Sequence, residues 1–75
     1  MIFMRFVIKH YDKGTKEEHF SINVTDAPAG EWEELNKEGT ATTVSHNDAL
    51  QVPCYDIAKA WICYLKRTGF TAVTC

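Results

Sequence analysis

The side chains of this chain best suited to binding a metal, moving a proton or attacking an electrophile are His10, His19 and His46, Cys54, Cys63 and Cys75, and a set of closely spaced acids. A protein metal site needs ligands that close on one point, usually announced by short spacings such as H-x-x-x-H or C-x-x-C. Neither spacing occurs here. His10 and His19 lie on either side of a turn and could approach each other across a hairpin, but surface strand histidines are the plainer reading. No metal ligand set and no cofactor is expected. The glycines at 14, 30, 39 and 69 are isolated, so there is no phosphate-cradling loop. A Cys–His hydrolase would pair Cys63 or Cys54 with His46, but no pattern in the sequence orients such a pair. The expectation is therefore no enzyme and no catalytic residue.

Cys63 is the exception that keeps some chemistry open. On a helical wheel it falls opposite the apolar stripe, nearest Asp56, Lys59, Lys66 and Arg67, and neighbouring cations favour the thiolate. It is a candidate reactive thiol. Against this, no His or Cys stands at i±3 or i±4 to act as base or resolving thiol, and the plainer reading is a surface cysteine. Three widely spaced cysteines imply no disulfide framework. Residues 1–8 are apolar but contain Arg5 and alternate like a strand, unlike a secretory signal. No apolar run approaches the roughly 20 residues that span a bilayer. A reducing, cytoplasmic setting without membrane contact is expected.

Charge points more clearly to a surface. The formal net charge is −2, which does not suggest a dedicated nucleic-acid binder. Between positions 26 and 38, however, five acids (Asp26, Glu31, Glu33, Glu34, Glu38) face Lys37 alone, while the rest of the chain carries seven bases and five acids. The molecule is polarised, and its acidic end suits a basic partner surface. Trp32 lies among those acids, and tryptophan is enriched at interaction hot spots. The candidate partner-binding residues are thus Glu31, Trp32, Glu33, Glu34 and Glu38. A second candidate face is basic and aromatic: Phe3, Arg5, Lys9 and Tyr11 share one side of an alternating strand, where rings could stack bases and cations meet phosphates.

The elements that must position these residues follow from periodicity. Seventy-five residues make one domain, residues 1–75, near the lower limit for a single unstapled core. Residues 53–69 are an amphipathic helix, with Pro53 at its first position and Gly69 just past its end. At about 100° per residue, Cys54, Ile57, Ala58, Trp61 and Leu65 form its buried stripe, flanked by Ile62 and Tyr64. Residues 1–11 read as a strand with Ile2, Met4, Phe6 and Ile8 inward. The Asp12-Lys13-Gly14 turn leads into a second strand, residues 19–25, with Phe20, Ile22 and Val24 inward. Residues 31–37 are expected as a short helix docked through Trp32 and Leu35. Residues 40–45 are expected as a short strand near an edge. Ser45-His46-Asn47-Asp48 fits a capping box that starts a helical turn, and Val52 before Pro53 should be extended. Residues 70–75 are expected as a last strand.

This plan, with an acidic tryptophan-bearing connector and a helix D-I-A-K-A-W-x-x-Y-L running into G-F-x-x-V, resembles small phage- or mobile-element-encoded inhibitors of host machinery. Anti-CRISPR proteins and phage inhibitors of host polymerase are of this size and α+β kind. The resemblance implies occlusion of a basic or nucleic-acid-handling partner site, in the cytoplasm of the host cell. The expectation is an α+β domain, a small mostly antiparallel sheet in the order β-β-(short α)-β-α-β with one long helix on one face. Its expected function is that of a non-enzymatic protein-binding inhibitor or adaptor, monomeric or homodimeric. The alternative is a nucleic-acid-associated domain using the first strand's outer face.

Overall fold

The computed structural model describes residues 5–25 and 32–70. Four strands, β1 (Arg5–Tyr11), β2 (His19–Thr25), β3 (Glu33–Leu35) and β4 (Thr42–Thr43), form one antiparallel sheet in the order β1-β2-β3-β4. A 3₁₀ turn at His46–Asp48 and one long helix, α1 (Tyr55–Thr68), follow. The α+β class and the helix laid across one sheet face agree with the sequence pattern. Of the expected strand at residues 1–11, β1 is the described part; its first four residues, with the inward positions Ile2 and Met4, and all but Phe70 of the expected strand at 70–75 lie outside the described residues.

Register decides which side chains share a face, because directly paired residues of antiparallel strands project to the same side. Phe6 pairs with Val24 and Ile8 with Ile22, and this face carries the core. Ile22, Val24, Leu35, Val52, Ala58 and Leu65 are buried there, with Phe6, Ile8, Phe20, Leu50, Trp61, Ile62 and Phe70 packed around them. The opposite face carries Arg5, Val7, Lys9 and Tyr11, paired in turn with Thr25, Asn23, Ser21 and His19. Asn23 pairs onward to Glu34 and Glu34 to Thr43. α1 lies on the first face and leaves the second uncovered by helix.

The expected helix at residues 31–37 is not formed. Its centre is the strand β3, and the cause is tertiary: in a strand Leu35 faces the core, fully buried, while Glu34 faces the other way toward three side-chain donors. The good helix propensity of Glu and Leu is outweighed by that double demand. The β3–β4 connection is fixed by Asn36, whose Oδ1 accepts from the backbone N–H of Thr40 (2.9 Å) and Ala41 (3.3 Å). Gly39 within it has φ 72°, and a Cβ there would sit 2.5 Å from the Trp61 ring, so the loop lies directly against the indole.

Two further expectations change in detail. The turn after Ser45 exists, but Ser45 makes no side-chain cap; the Asp48 N–H donates to the Ser45 carbonyl instead. The chain then runs extended, with Leu50 N–H on the Leu35 carbonyl and Val52 exchanging two backbone hydrogen bonds with Phe20 (2.8 and 2.9 Å). This pairing uses the extended backbone that Pro53 imposes on Val52. α1 starts at Tyr55, after an N-cap at Cys54, so Pro53 precedes the helix rather than opening it. At the other end Gly69 is left-handed (φ 73°), and its N–H and that of Phe70 both reach the Leu65 carbonyl. The buried stripe is Ala58 and Leu65 with half-buried Trp61 and Ile62. Cys54, Ile57 and Tyr64 are exposed, because so narrow a sheet covers less of the helix than its apolar arc offers.

Candidate functional site

On the sheet face away from α1, the last residue of β1, the start of β2, the middle of β3 and the 3₁₀ turn converge. Glu34 is at the centre. Its Oε1 accepts from the Tyr11 hydroxyl (2.8 Å), the Ser21 hydroxyl (2.9 Å) and His46 Nδ1 (2.9 Å), and its Oε2 lies 2.9 Å from the same nitrogen. Ser21 is buried and Glu34 nearly so, at 1 % and 9 % exposure. Burial alone would push the Glu34 carboxyl up; the hydrogen bonds from His46, Tyr11 and Ser21 outweigh it and hold the group below its ordinary range. Tyr11 moves the other way. Its burial, and then its bond to the Glu34 carboxylate, raise the phenol above its ordinary value.

The chain of contacts continues outward. His46 Nε2 lies 2.9 Å from His19 Nε2, and His19 Nδ1 lies 2.6 Å from the Glu17 carbonyl. The Tyr11 ring stacks on His19 with centroids 5.2 Å apart and tilts against His46 at 4.3 Å. His10 and His19 do not approach each other, since they project to opposite faces of the hairpin. His10 is on the core face, stacked on Phe20 at 4.2 Å, with Nε2 2.6 Å from a Glu18 carboxylate oxygen. The partner of His19 is His46, 27 positions away, which spacing along the chain gives no means of finding.

Beside this network is a concave site of about 270 Å³, lined in part by Asn23, Trp32, Glu33, Glu34 and Val44. That volume suits one side chain rather than a larger ligand. Its rim is apolar and open: Trp32 is 40 % and Val44 83 % exposed. Its wall is rich in acceptors. The side-chain oxygen of Asn23 is buried without a hydrogen-bond partner among the described residues.

The five residues expected to form one acidic surface are divided by the strand. Trp32, Glu33 and Glu34 do line a common site. Glu34 is turned inward to hydroxyls and imidazole, Glu33 accepts from the Thr42 hydroxyl (3.2 Å), and Glu38 is exposed in the β3–β4 connection beside Asp48. Glu31 lies outside the described residues. Of the alternative basic face, Arg5 and Lys9 are exposed on the open side of β1, Tyr11 is engaged with Glu34 and His19, and Phe3 lies outside the described residues. Cys54 and Cys63 are free and exposed, and neither hydrogen-bonds to a histidine. Among the described residues no helix is long and apolar enough to cross a membrane, and no group of three or more His, Cys, Asp or Glu side chains is placed to hold a metal.

Compared with protein-family models, with curated proteins and with solved structures, the chain matches none.

Proposed function

We propose that this domain is a non-enzymatic protein-binding module, an inhibitor or adaptor that takes a basic side chain of its partner into the site beside Trp32 and thereby covers the partner's surface. The observation that carries this reading is a concave site lined by Asn23, Glu33 and Glu34 together with Trp32, whose indole is 40 % exposed. A wall made of acceptors selects a group that only donates, and lysine and arginine side chains are of that kind. The indole adds attraction for a cation over its face. The polarised charge of the chain supports the same direction of recognition at longer range. An inhibitor of the phage- or mobile-element-encoded kind is the form of this function that the resemblance of plan favours.

The experiment is a titration of isotope-labelled protein with short peptides bearing lysine, arginine or acetyl-lysine. Saturable shifts at Asn23 and the Trp32 indole with the cationic peptides, lost with acetyl-lysine and in Glu33→Lys, are expected. Equal binding by Glu33→Lys, or no saturable shift with any peptide, sinks the reading. Salt-sensitive binding of oligonucleotides that disappears in Arg5→Glu and Lys9→Glu would instead move the function to the open face of β1.

A further inference from the structure

The apolar arc of α1 is wider than the sheet that covers it, and the uncovered part has a definite shape. Ile57 and Tyr64 stand seven positions apart, so about two turns of helix bring them onto one side, with Ala60 between them. Both are open, at 40 % and 54 % exposure. Together with Trp61 and Asp56 they line an apolar groove of about 490 Å³, and among the described residues its walls come from α1 alone. The aromatic wall is already ordered. The Trp61 ring lies against Gly39 and meets Tyr64 edge-on at 90°, with centroids 5.9 Å apart. Rings held in this way lose little freedom when a partner packs on them. The charges on this flank run in one direction. Asp56 and Arg67, both exposed, are eleven positions or about three turns apart, so an acid stands at one end of the groove and a base at the other.

We propose that this flank is the contact between two copies of the chain, packed with their α1 helices antiparallel about a twofold axis. In such a pair each flank meets its own copy reversed end to end. Asp56 then faces Arg67 of the second copy, and Ile57 faces Tyr64. The midpoints of these two pairs fall one residue apart, about 1.5 Å along the helix, so a single axis beside Ala60 and Trp61 serves both. Ala60 supplies a small side chain where the helices come closest. Parallel packing would set Asp56 against Asp56 and is disfavoured. A second copy is the occupant because the groove already carries both halves of the charge pattern its partner must have. One flank of a helix this short is smaller than the roughly 800 Å² per partner of a standard interface, so the association is weak and reversible. At the dilution of an unfolding experiment the chain is monomeric. The open sheet face, with the Trp32 site, takes no part in the contact, and the dimer does not depend on what that site binds.

The test is sedimentation equilibrium of the untagged full chain from micromolar to millimolar concentration. A monomer–dimer equilibrium with no larger species is expected, because a twofold contact closes on itself. Ala60→Arg, which puts a strong helix former at an exposed helical position, should leave the far-UV circular dichroism unchanged and remove the dimer. Asp56→Arg alone and Arg67→Asp alone should each weaken association about tenfold or more, since each sets like charges together. The double exchange should restore it. These two substitutions also reverse favourable charges at the helix ends, so circular dichroism is read beside them, and Ala60→Arg decides should the helix be lost. A chain that stays monomeric to millimolar concentration overturns the proposal and leaves the groove to a different protein. So does a dimer undiminished by Ala60→Arg, or a double exchange that keeps its helix and fails to recover what the single ones lose.

Discussion

The imidazole of His46, in the turn after β4, faces the Glu34 carboxylate of β3 with Nδ1 2.9 Å from each oxygen. This contact ties the 3₁₀ turn to the sheet, and it keeps a nearly buried charge satisfied together with the Tyr11 and Ser21 hydroxyls. Removing one member of such a group costs more than the bond itself, because the remaining donors lose their acceptor in a place water reaches poorly. Glu34→Ala should therefore destabilise the domain by about 2–3 kcal/mol, the range for hydrogen bonds to a charged group plus unsatisfied partners. Urea unfolding followed by far-UV circular dichroism would measure it. A loss within experimental error would show that the network is not a structural tie.

The same group sets the acid limb of stability. The Glu34 pKa is lowered on folding, so its contribution is fully present above the unfolded carboxyl value of 4.5 and is lost as pH falls through the lower folded value. The midpoint of thermal unfolding should decline as the pH is taken below about 4.5, and Glu34→Gln should flatten that decline. An unchanged acid slope in Glu34→Gln would assign acid sensitivity to other carboxylates.

Tyr11 supplies the opposite limb. Its pKa is raised on folding, first by burial and then by the Glu34 carboxylate, so its contribution holds below the unfolded value of 10.0 and disappears as pH rises through the higher folded value. Tyr11→Phe should cost about 1 kcal/mol at neutral pH through the lost bond to Glu34, and should remove part of the alkaline decline. Thermal unfolding between neutral pH and pH 11 reads both effects in one series.

Much of the fold was legible because period and turn chemistry agree locally. The β1–β2 hairpin follows from alternation on either side of Asp12-Lys13-Gly14, and α1 from its apolar arc and Gly69. What was not legible depends on partners distant in sequence. Residues 32–35 have helical composition, and only the demand that Leu35 and Glu34 face opposite ways makes them a strand. With β3 read as a helix, Glu34 could not be paired with Ser21, nor His46 with either Glu34 or His19. The candidate residues Trp32, Glu33 and Glu34 were found from charge and aromaticity; Tyr11 was named for a different role, on a nucleic-acid face, and its meeting with Ser21, Glu34 and the two histidines comes from strand register and the 3₁₀ turn.

Gly39 offers a test of how the β3–β4 connection is held. Its left-handed backbone (φ 72°) and the Trp61 ring 2.5 Å from a would-be Cβ impose two separate costs on Gly39→Ala. Strain in the left-handed region and overpacking together should amount to about 2–4 kcal/mol. Gly14→Ala shares the positive φ (83°) but meets nothing within 4 Å, so it should cost about 1–2 kcal/mol from backbone strain alone. Chemical denaturation of the pair isolates the packing contribution as the difference between them. Equal losses would mean that the indole moves aside freely and that the loop is not seated on it.

The last prediction concerns which side of α1 is core. Leu65 is 1 % exposed and Ile57 40 %, although both lie on the apolar arc of the helix. Deleting a buried leucine side chain removes its transfer free energy and leaves a cavity, so Leu65→Ala should cost about 2–5 kcal/mol. Ile57→Ala removes a half-solvated group beside Trp61 and Tyr64, and surface positions of that kind seldom move stability by more than about 0.5–1 kcal/mol. A large loss for Ile57→Ala in dilute monomer would place a covering segment over that side of the helix. A loss that grows with protein concentration would place a second copy there, since association adds a mass-action contribution that the variant removes. Unfolding curves at two concentrations tenfold apart separate these outcomes from the expected small effect.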